Sequence, residues 1–175
     1  KKIKLIHIST DHLYNRNKRL NTESSNSILN YYAYTKLKGE NYAKKCNSLI
    51  LRTNFFGYDK KKKSLINWDL ISSRKNKNIK LFEDIYFSPL YIETLIKIII
   101  KIFSSDKKGI YNIGSNNEIS KSNFLLLVAK KFKLKLNYKL IKYSEYKISK
   151  IKRPTNMSMN INKFQKNFKL KLPSI

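Results

Sequence analysis

At 175 residues the chain can build a real core, and its net charge of +27 invites a nucleic-acid reading; the basic residues, however, are Lys but for five Arg, and lie scattered among abundant Asn and Ile, a pattern that AT-rich codons explain better than a phosphate-binding surface does. A single cysteine, Cys46, excludes an internal disulfide, and no Cys/His cluster points to a metal. The most apolar run, residues 90–103, is broken by Glu93, Lys97 and Lys101 and is too short to span a bilayer; with no signal-peptide pattern, a cytoplasmic protein with no membrane or nucleic-acid partner is expected.

In chain order, residues 2–9 are mostly apolar, the pattern of a parallel strand covered on both faces. Residues 10–28 are polar and read as a loop over the C-terminal edge of the sheet. A helix is predicted over 29–45, a second strand over 48–52, and a loop over 53–57. Strand, helix, strand in this order makes a crossover unit of an α/β sheet. After the Lys60–Lys63 cluster, Leu65, Trp68, Leu70 and Ile71 have helical spacing within 64–75. A short strand is expected at 79–82, and Ser88-Pro89 opens a helix to about residue 103, Pro suiting a helix start. Residues 109–114 read as a strand closing on a turn, and Ser120 as the N-cap of a helix to 131. An extended segment over 136–142 and a short helix over 161–168 complete the chain, with no internal repeat and no Pro- or Gly-rich linker.

The predicted helix over 29–45 carries the chemistry. Residues four apart share a helix face, so Tyr32 and Lys36 project side by side. An ammonium beside a phenol favours the phenolate, and the pair is a recognisable proton-transfer device. In a chain so rich in Tyr and Lys the spacing is weak alone; the strand ending in Ser9-Thr10-Asp11 strengthens it.

Three motifs occur in a fixed order: Ser9-Thr10-Asp11; Asn30-x-Tyr32-Ala33-x-Thr35-Lys36-x-x-Gly39-Glu40; and Leu51-Arg52-Thr53-Asn54-Phe55-Phe56-Gly57. Together they resemble the catalytic half of an extended short-chain dehydrogenase/reductase, and within that superfamily the dTDP-4-dehydrorhamnose reductase group. Phe87-Ser88-Pro89-Leu90-Tyr91-Ile92, Tyr111-Asn112-Ile113-Gly114 and Arg153-Pro154-Thr155-Asn156-Met157-Ser158-Met159 resemble later segments of the same group, so the resemblance covers nearly the whole chain.

The resemblance implies an α/β fold: the C-terminal part of a Rossmann-type parallel sheet within 1–57, and a small α/β substrate-binding region with returning Rossmann elements over 58–175. It implies hydride transfer from NADPH or NADH to the 4-keto group of a nucleotide-linked deoxysugar, a step in making surface polysaccharide precursors. Tyr32 would be the general acid, Lys36 would hold the nicotinamide ribose, and Thr10 would hydrogen-bond the reacting oxygen. Asp11 and Phe55 would contact the sugar, and Ile8 would lie close to the nicotinamide. The bland alternatives are that Thr10 and Asp11 cap the strand end and that Phe55 is core. A 4-epimerase of the same superfamily, a non-catalytic fragment and a homodimer stay open.

Two features depart from the group. His12 stands where an aromatic usually follows the Ser-Thr-Asp triplet; the same position lacks the Glu that 4,6-dehydratases need. No G-x-x-G-x-x-G turn is present among the four glycines, Gly39, Gly57, Gly109 and Gly114, so nothing offers the helix N-terminus that receives a dinucleotide pyrophosphate. With Lys rather than Met at position 1, the expectation is the C-terminal portion of a reductase.

Overall fold

A computed structural model describes residues 3–15, 20–58, 64–146 and 151–175. The elements are β1 (Ile6–Thr10), α1 (Tyr31–Lys45), β2 (Leu49–Thr53), β3 (Phe55–Phe56), α2 (Leu65–Arg74), β4 (Asn78–Phe82), β5 (Tyr86–Phe87), β6 (Leu90–Tyr91), α3 (Ile92–Ile102), β7 (Gly109–Ile113), β8 (Ile119–Ser120), α4 (Lys121–Lys131), β9 (Asn137–Ile141), β10 (Asn156–Met157) and α5 (Asn162–Phe168), with a 3-10 turn at Asp11–Leu13. The Lys60–Lys63 cluster lies outside the described residues.

A parallel sheet of order β1-β2-β7 is the frame, with Ile8 opposite Leu51 and Leu51 opposite Tyr111. All five residues of β2, the central strand, are buried: Leu49, Ile50 and Leu51 as apolar residues of a covered strand, and Arg52 in an ion pair with Glu40. One core cluster joins this sheet to α3 and α5 through Leu49, Leu51, Leu95, Ile98, Tyr111 and Phe164. A second joins β4, β5, α2 and α4 through Ile66, Leu81, Phe87, Phe124 and Val128. The extended segment at 136–142 is β9, a parallel partner of β4.

Helix ends follow local chemistry. Asn30, Ser64 and Ser120 cap α1, α2 and α4 by accepting from the backbone N–H three residues on. At the C-terminal ends of α1, α2, α4 and α5, Asn47, Asn76, Lys133 and Lys169 take the left-handed conformation that glycine usually supplies, in a chain with only four glycines.

Three sequence expectations shift. The helix expected from Ser88-Pro89 begins at Ile92, because Leu90–Tyr91 pairs with Phe55–Phe56 as a parallel two-residue ladder and the Leu90 N–H donates to Asn54 O at 2.9 Å. That ladder also makes a strand pair of part of the loop expected at 53–57, and Thr53 itself ends β2. The polar stretch 10–28 is not a surface loop throughout: Leu13, Tyr14 and Asn21 are buried, and Asn21 bridges to Met159. Its 23–25 part is held by Arg52, whose guanidinium donates to the Glu23 and Ser25 carbonyls.

Gly114, after β7, is required by packing. A Cβ there would stand 2.7 Å from the Ser88 carbonyl oxygen and 2.8 Å from Met159 Cε.

Candidate active site

The site is built where β1 ends and α1 begins. Asn30 starts α1 by accepting from the Ala33 N–H at 2.9 Å, and its Nδ2 reaches Lys152 O, also at 2.9 Å. The helix then lies over β1. Gly39 allows the approach, since a Cβ there would sit 3.3 Å from His7 Cε1. Glu40, on the same face as Tyr32 and Lys36, is buried against Arg52 and accepts from Ser9 Oγ at 2.6 Å.

With the helix so placed, Lys36 Nζ donates to the Ile8 carbonyl at 2.8 Å. Tyr32, one turn earlier, is 51% exposed and meets the edge of His12, with ring centroids 5.4 Å apart at 87°. Thr10 is buried at the strand end; its Oγ1 accepts from the His12 N–H at 3.2 Å and is 3.4 Å from Asp11 Oδ1. Thr10 therefore does cap the turn that carries His12.

Asp11 is 1% exposed and accepts from Asn54 Nδ2 at 2.6 Å. Burial pushes its carboxyl up to about 7, against the opposing pull of Asn54, the nearby Lys121 charge and Thr10. Phe55, the next residue after Asn54, is 52% exposed, so it is not core. Ile8, Thr10, Tyr32 and Lys36 thus gather at one strand end. Asp11, next after Thr10, is held by Asn54, and Phe55 follows Asn54 in the chain.

Beyond His12 lies a cavity of about 310 Å³ lined also by Phe82, Lys121, Tyr143, Tyr146 and Arg153. A second hollow, of about 540 Å³, shares Phe82, Lys121, Tyr146 and Arg153 with it and adds Leu65, Trp68 and Leu81. Burial, then the charges of Lys121 and Arg153, push the His12 imidazole down to about 4, so it is neutral over the ordinary range. Lys121 is itself lowered by burial, with Asp11 opposing.

Sequence reasoning gave no role to Lys121, Arg153 or Asn54. Arg153 and Asn54 lay inside recognised motifs. Lys121 carried no signal, being one lysine among many in a helix first turn. Among the described residues, no helix is long and apolar enough to cross a membrane.

A family model described as the RmlD substrate binding domain matches residues 1–175. No curated protein matches the chain. Among solved structures, a dTDP-4-dehydrorhamnose reductase from Bacillus anthracis str. Ames, in complex with NADP, superposes with a TM-score of 0.88 at 22% identity over 98% of this chain and 62% of that one. A hypothetical dTDP-4-dehydrorhamnose reductase from Sulfolobus tokodaii gives 0.80 at 27% identity over 93% and 57%. A UDP-glucuronic acid 4-epimerase from Bacillus cereus, in complex with UDP-glucuronic acid and NAD, gives 0.79 at 21% identity over 98% and 57%. The chain therefore spans about three fifths of the length of these structures.

Proposed function

This chain belongs to the RmlD substrate binding domain family, and from that premise we propose that it is the catalytic and substrate-binding portion of an NAD(P)H-dependent reductase acting on the 4-keto group of a nucleotide-linked deoxysugar. The observation that carries this reading is the gathering of Tyr32, Thr10 and Lys36 at the end of β1, with Lys36 Nζ 2.8 Å from the Ile8 carbonyl oxygen. Residues 1–57 belong with the cofactor-binding half in this proposal, and 58–175 mainly with the substrate. A cytoplasmic location and a homodimer are part of the same proposal.

Tyr32 is the proposed proton donor: partly exposed, it can reach a carbonyl oxygen on which negative charge develops. Thr10, whose hydroxyl accepts from the N–H of His12, the residue that meets Tyr32, is proposed to hydrogen-bond that oxygen and fix its position. Asp11 is held by Asn54 and Thr10, and acts on the sugar through those two side chains. Phe55 offers an exposed ring to the sugar face. Lys121 and Arg153 supply positive charge beside the cavity, as a nucleoside diphosphate requires.

NADPH or NADH, when bound, supplies the hydride. Of the residues present, Lys36, Tyr32 and the strand end at Ile8 suit the nicotinamide ribose: an ammonium already turned toward the strand end is a hydroxyl-binding donor. No glycine here belongs to a pyrophosphate-cradling turn. The 175 residues alone are therefore expected to bind either cofactor weakly and to turn over no sugar nucleotide.

Joining a glycine-rich cofactor-binding half to residue 1 tests the reading. The joined protein should oxidise NADPH or NADH in the presence of a dTDP-linked 4-keto-deoxysugar, and the unjoined chain should not. A joined protein that binds both ligands without reduction would overturn the proposal.

A further inference from the structure

We propose that Asn30 is a positioning residue: the two ends of its amide tie the helix that presents Tyr32 to the segment that walls the cavity beyond His12. This rests on the reductase reading of the site. It goes beyond that reading by naming what sets the span between the proton donor and the bound sugar nucleotide.

One end of the amide starts the helix. Asn30 Oδ1 accepts from the Ala33 N–H at 2.9 Å, and the ring closed by that bond contains Tyr31 and Tyr32. The phenol therefore stands on the capped turn itself. Few other bonds hold this turn: the Asn30 carbonyl accepts from the Tyr34 N–H at 3.1 Å, and Thr35 Oγ1 donates to the Tyr32 carbonyl at 2.9 Å. The Tyr32 ring is half exposed and meets only the edge of His12 among the aromatic rings described, so its direction follows the backbone beneath it.

The other end reaches 122 residues along the chain, where Nδ2 donates to the Lys152 carbonyl at 2.9 Å. Lys152 precedes Arg153 and Pro154, which line the cavity of about 310 Å³ together with Met157, His12, Phe82 and Lys121. After Pro154, the wall is fixed to the 10–28 stretch. Asn15 Oδ1 accepts from the Thr155 N–H at 2.8 Å, and Asn21 Nδ2 donates to the Ser158 carbonyl, also at 2.8 Å. Before Pro154 the holds are different. Tyr143 Oη accepts from the Arg153 N–H at 3.0 Å on the substrate side, and Asn30 adds a bond from the catalytic helix.

The residue type fits this double task. Ser, Thr and Asp cap helices much as Asn does, yet of the four only Asn brings an N–H₂ donor beside the capping oxygen. The two partners also fix which way the amide points. Turned over, it would set oxygen against the Lys152 carbonyl and N–H₂ against the Ala33 N–H.

Three substitutions separate the two ends. Asn30→Asp and Asn30→Ser keep a capping oxygen and lose the donor, whereas Asn30→Ala loses both. In the 175-residue chain at low ionic strength, amide hydrogen exchange followed by NMR reads each contact. Ala33 should keep its protection in the Asp and Ser variants and lose it about fivefold in Asn30→Ala. Arg153 should lose protection about three- to tenfold in all three. Steady-state kinetics of the joined enzyme, with NADPH and a dTDP-linked 4-keto-deoxysugar, read the consequence. Asn30→Asp and Asn30→Ser should raise KM for the sugar nucleotide about three- to tenfold, more than they lower kcat. Asn30→Ala should add a fall in kcat of about fivefold, because Tyr32 then stands on an uncapped turn.

Unchanged Arg153 protection in the Asp and Ser variants would overturn the tie, and an unchanged KM would overturn the positioning role. Equal falls in kcat in all three variants would reduce Asn30 to a structural residue and overturn it too. If the joined enzyme reduces no sugar nucleotide, the reductase reading fails, and the exchange pattern of the chain still decides whether Asn30 ties the two segments.

Discussion

Glu40 of α1 and Arg52 of β2 form a bidentate ion pair in the dry interior, Nε to Oε1 at 2.8 Å and Nη2 to Oε2 at 2.7 Å, with both side chains wholly buried. Ser9 donates to Glu40, and Arg52 also reaches Tyr14 Oη, the Glu23 and Ser25 carbonyls and Asn26 Oδ1. The pair thus fastens α1, β1, β2 and the 21–26 segment at one point.

Deleting one partner strands a buried charge, which costs about 3–5 kcal/mol in comparable sites. Glu40→Ala should therefore lower the free energy of unfolding by that much, read from urea denaturation. Glu40→Met combined with Arg52→Leu should lose markedly less, because no charge is left uncompensated. A loss under about 1 kcal/mol for Glu40→Ala would mean the pair is not the fastener.

Stability against pH contains two opposing contributions. Asp11 is raised in the folded protein to about 7 from an ordinary 3.8, so between those values the folded state holds a proton that the unfolded state has lost. Its contribution is present in acid and disappears as pH rises toward 7. His12 is lowered to about 4 from 6.5, so there the unfolded state holds the extra proton. Its contribution disappears as pH falls toward 4, and His7 acts in the same direction. The terms are on the order of 4 kcal/mol at most for Asp11 and 3 for His12. Between pH 4 and 6.5 they offset. Asp11→Asn should leave stability that rises with pH across this window, and His12→Phe should leave one that falls where the parent's is nearly level. Chemical denaturation at several pH values reads both slopes; two variants with the same slope would refute the assignment.

In the joined enzyme, Tyr32→Phe should cut turnover by at least roughly 10²-fold, the ordinary cost of losing a general acid, with little change in substrate affinity. Lys36→Ala should damage turnover and cofactor affinity together, because its ammonium is the donor nearest the Ile8 strand end. Steady-state kinetics distinguish the two patterns. Near-normal turnover in Tyr32→Phe would remove the phenol from the mechanism.

What the sequence disclosed was what local period and motif order encode. The apolar run before Thr10 announced β1, helical spacing announced α1, and Tyr32 with Lys36 followed from four-residue periodicity. The two-residue ladder of Phe55–Phe56 on Leu90–Tyr91 was hidden because two residues carry no period. Residues 21–26 read as polar loop because the partner of their carbonyls, Arg52, lies far along the chain. Lys121 was hidden for the opposite reason: among so many lysines, only the fold reveals which one lies beside Asp11 and Arg153.

The last expectation concerns the isolated chain and rests on β1. Its apolar sequence predicts cover on both faces and a neighbour on each edge, yet among the described residues it pairs only with β2. Ile6 and Ile8 are half-buried, and just ahead of them Leu5 is partly and Ile3 almost wholly exposed. An unpaired strand edge beside exposed apolar side chains is a template for self-association. The net charge of +27 opposes it by repulsion between copies. That repulsion acts over about 10 Å in 0.1 M salt but only about 3 Å in 1 M. The chain should therefore stay dispersed at low ionic strength and associate as salt is raised. Ile3→Lys, which places charge at the edge without touching the core, should move the onset to higher salt. Light scattering across a salt series measures both. A monodisperse, cooperatively unfolding monomer at high salt would show that the exposed edge of β1 is no template and that these residues are self-sufficient.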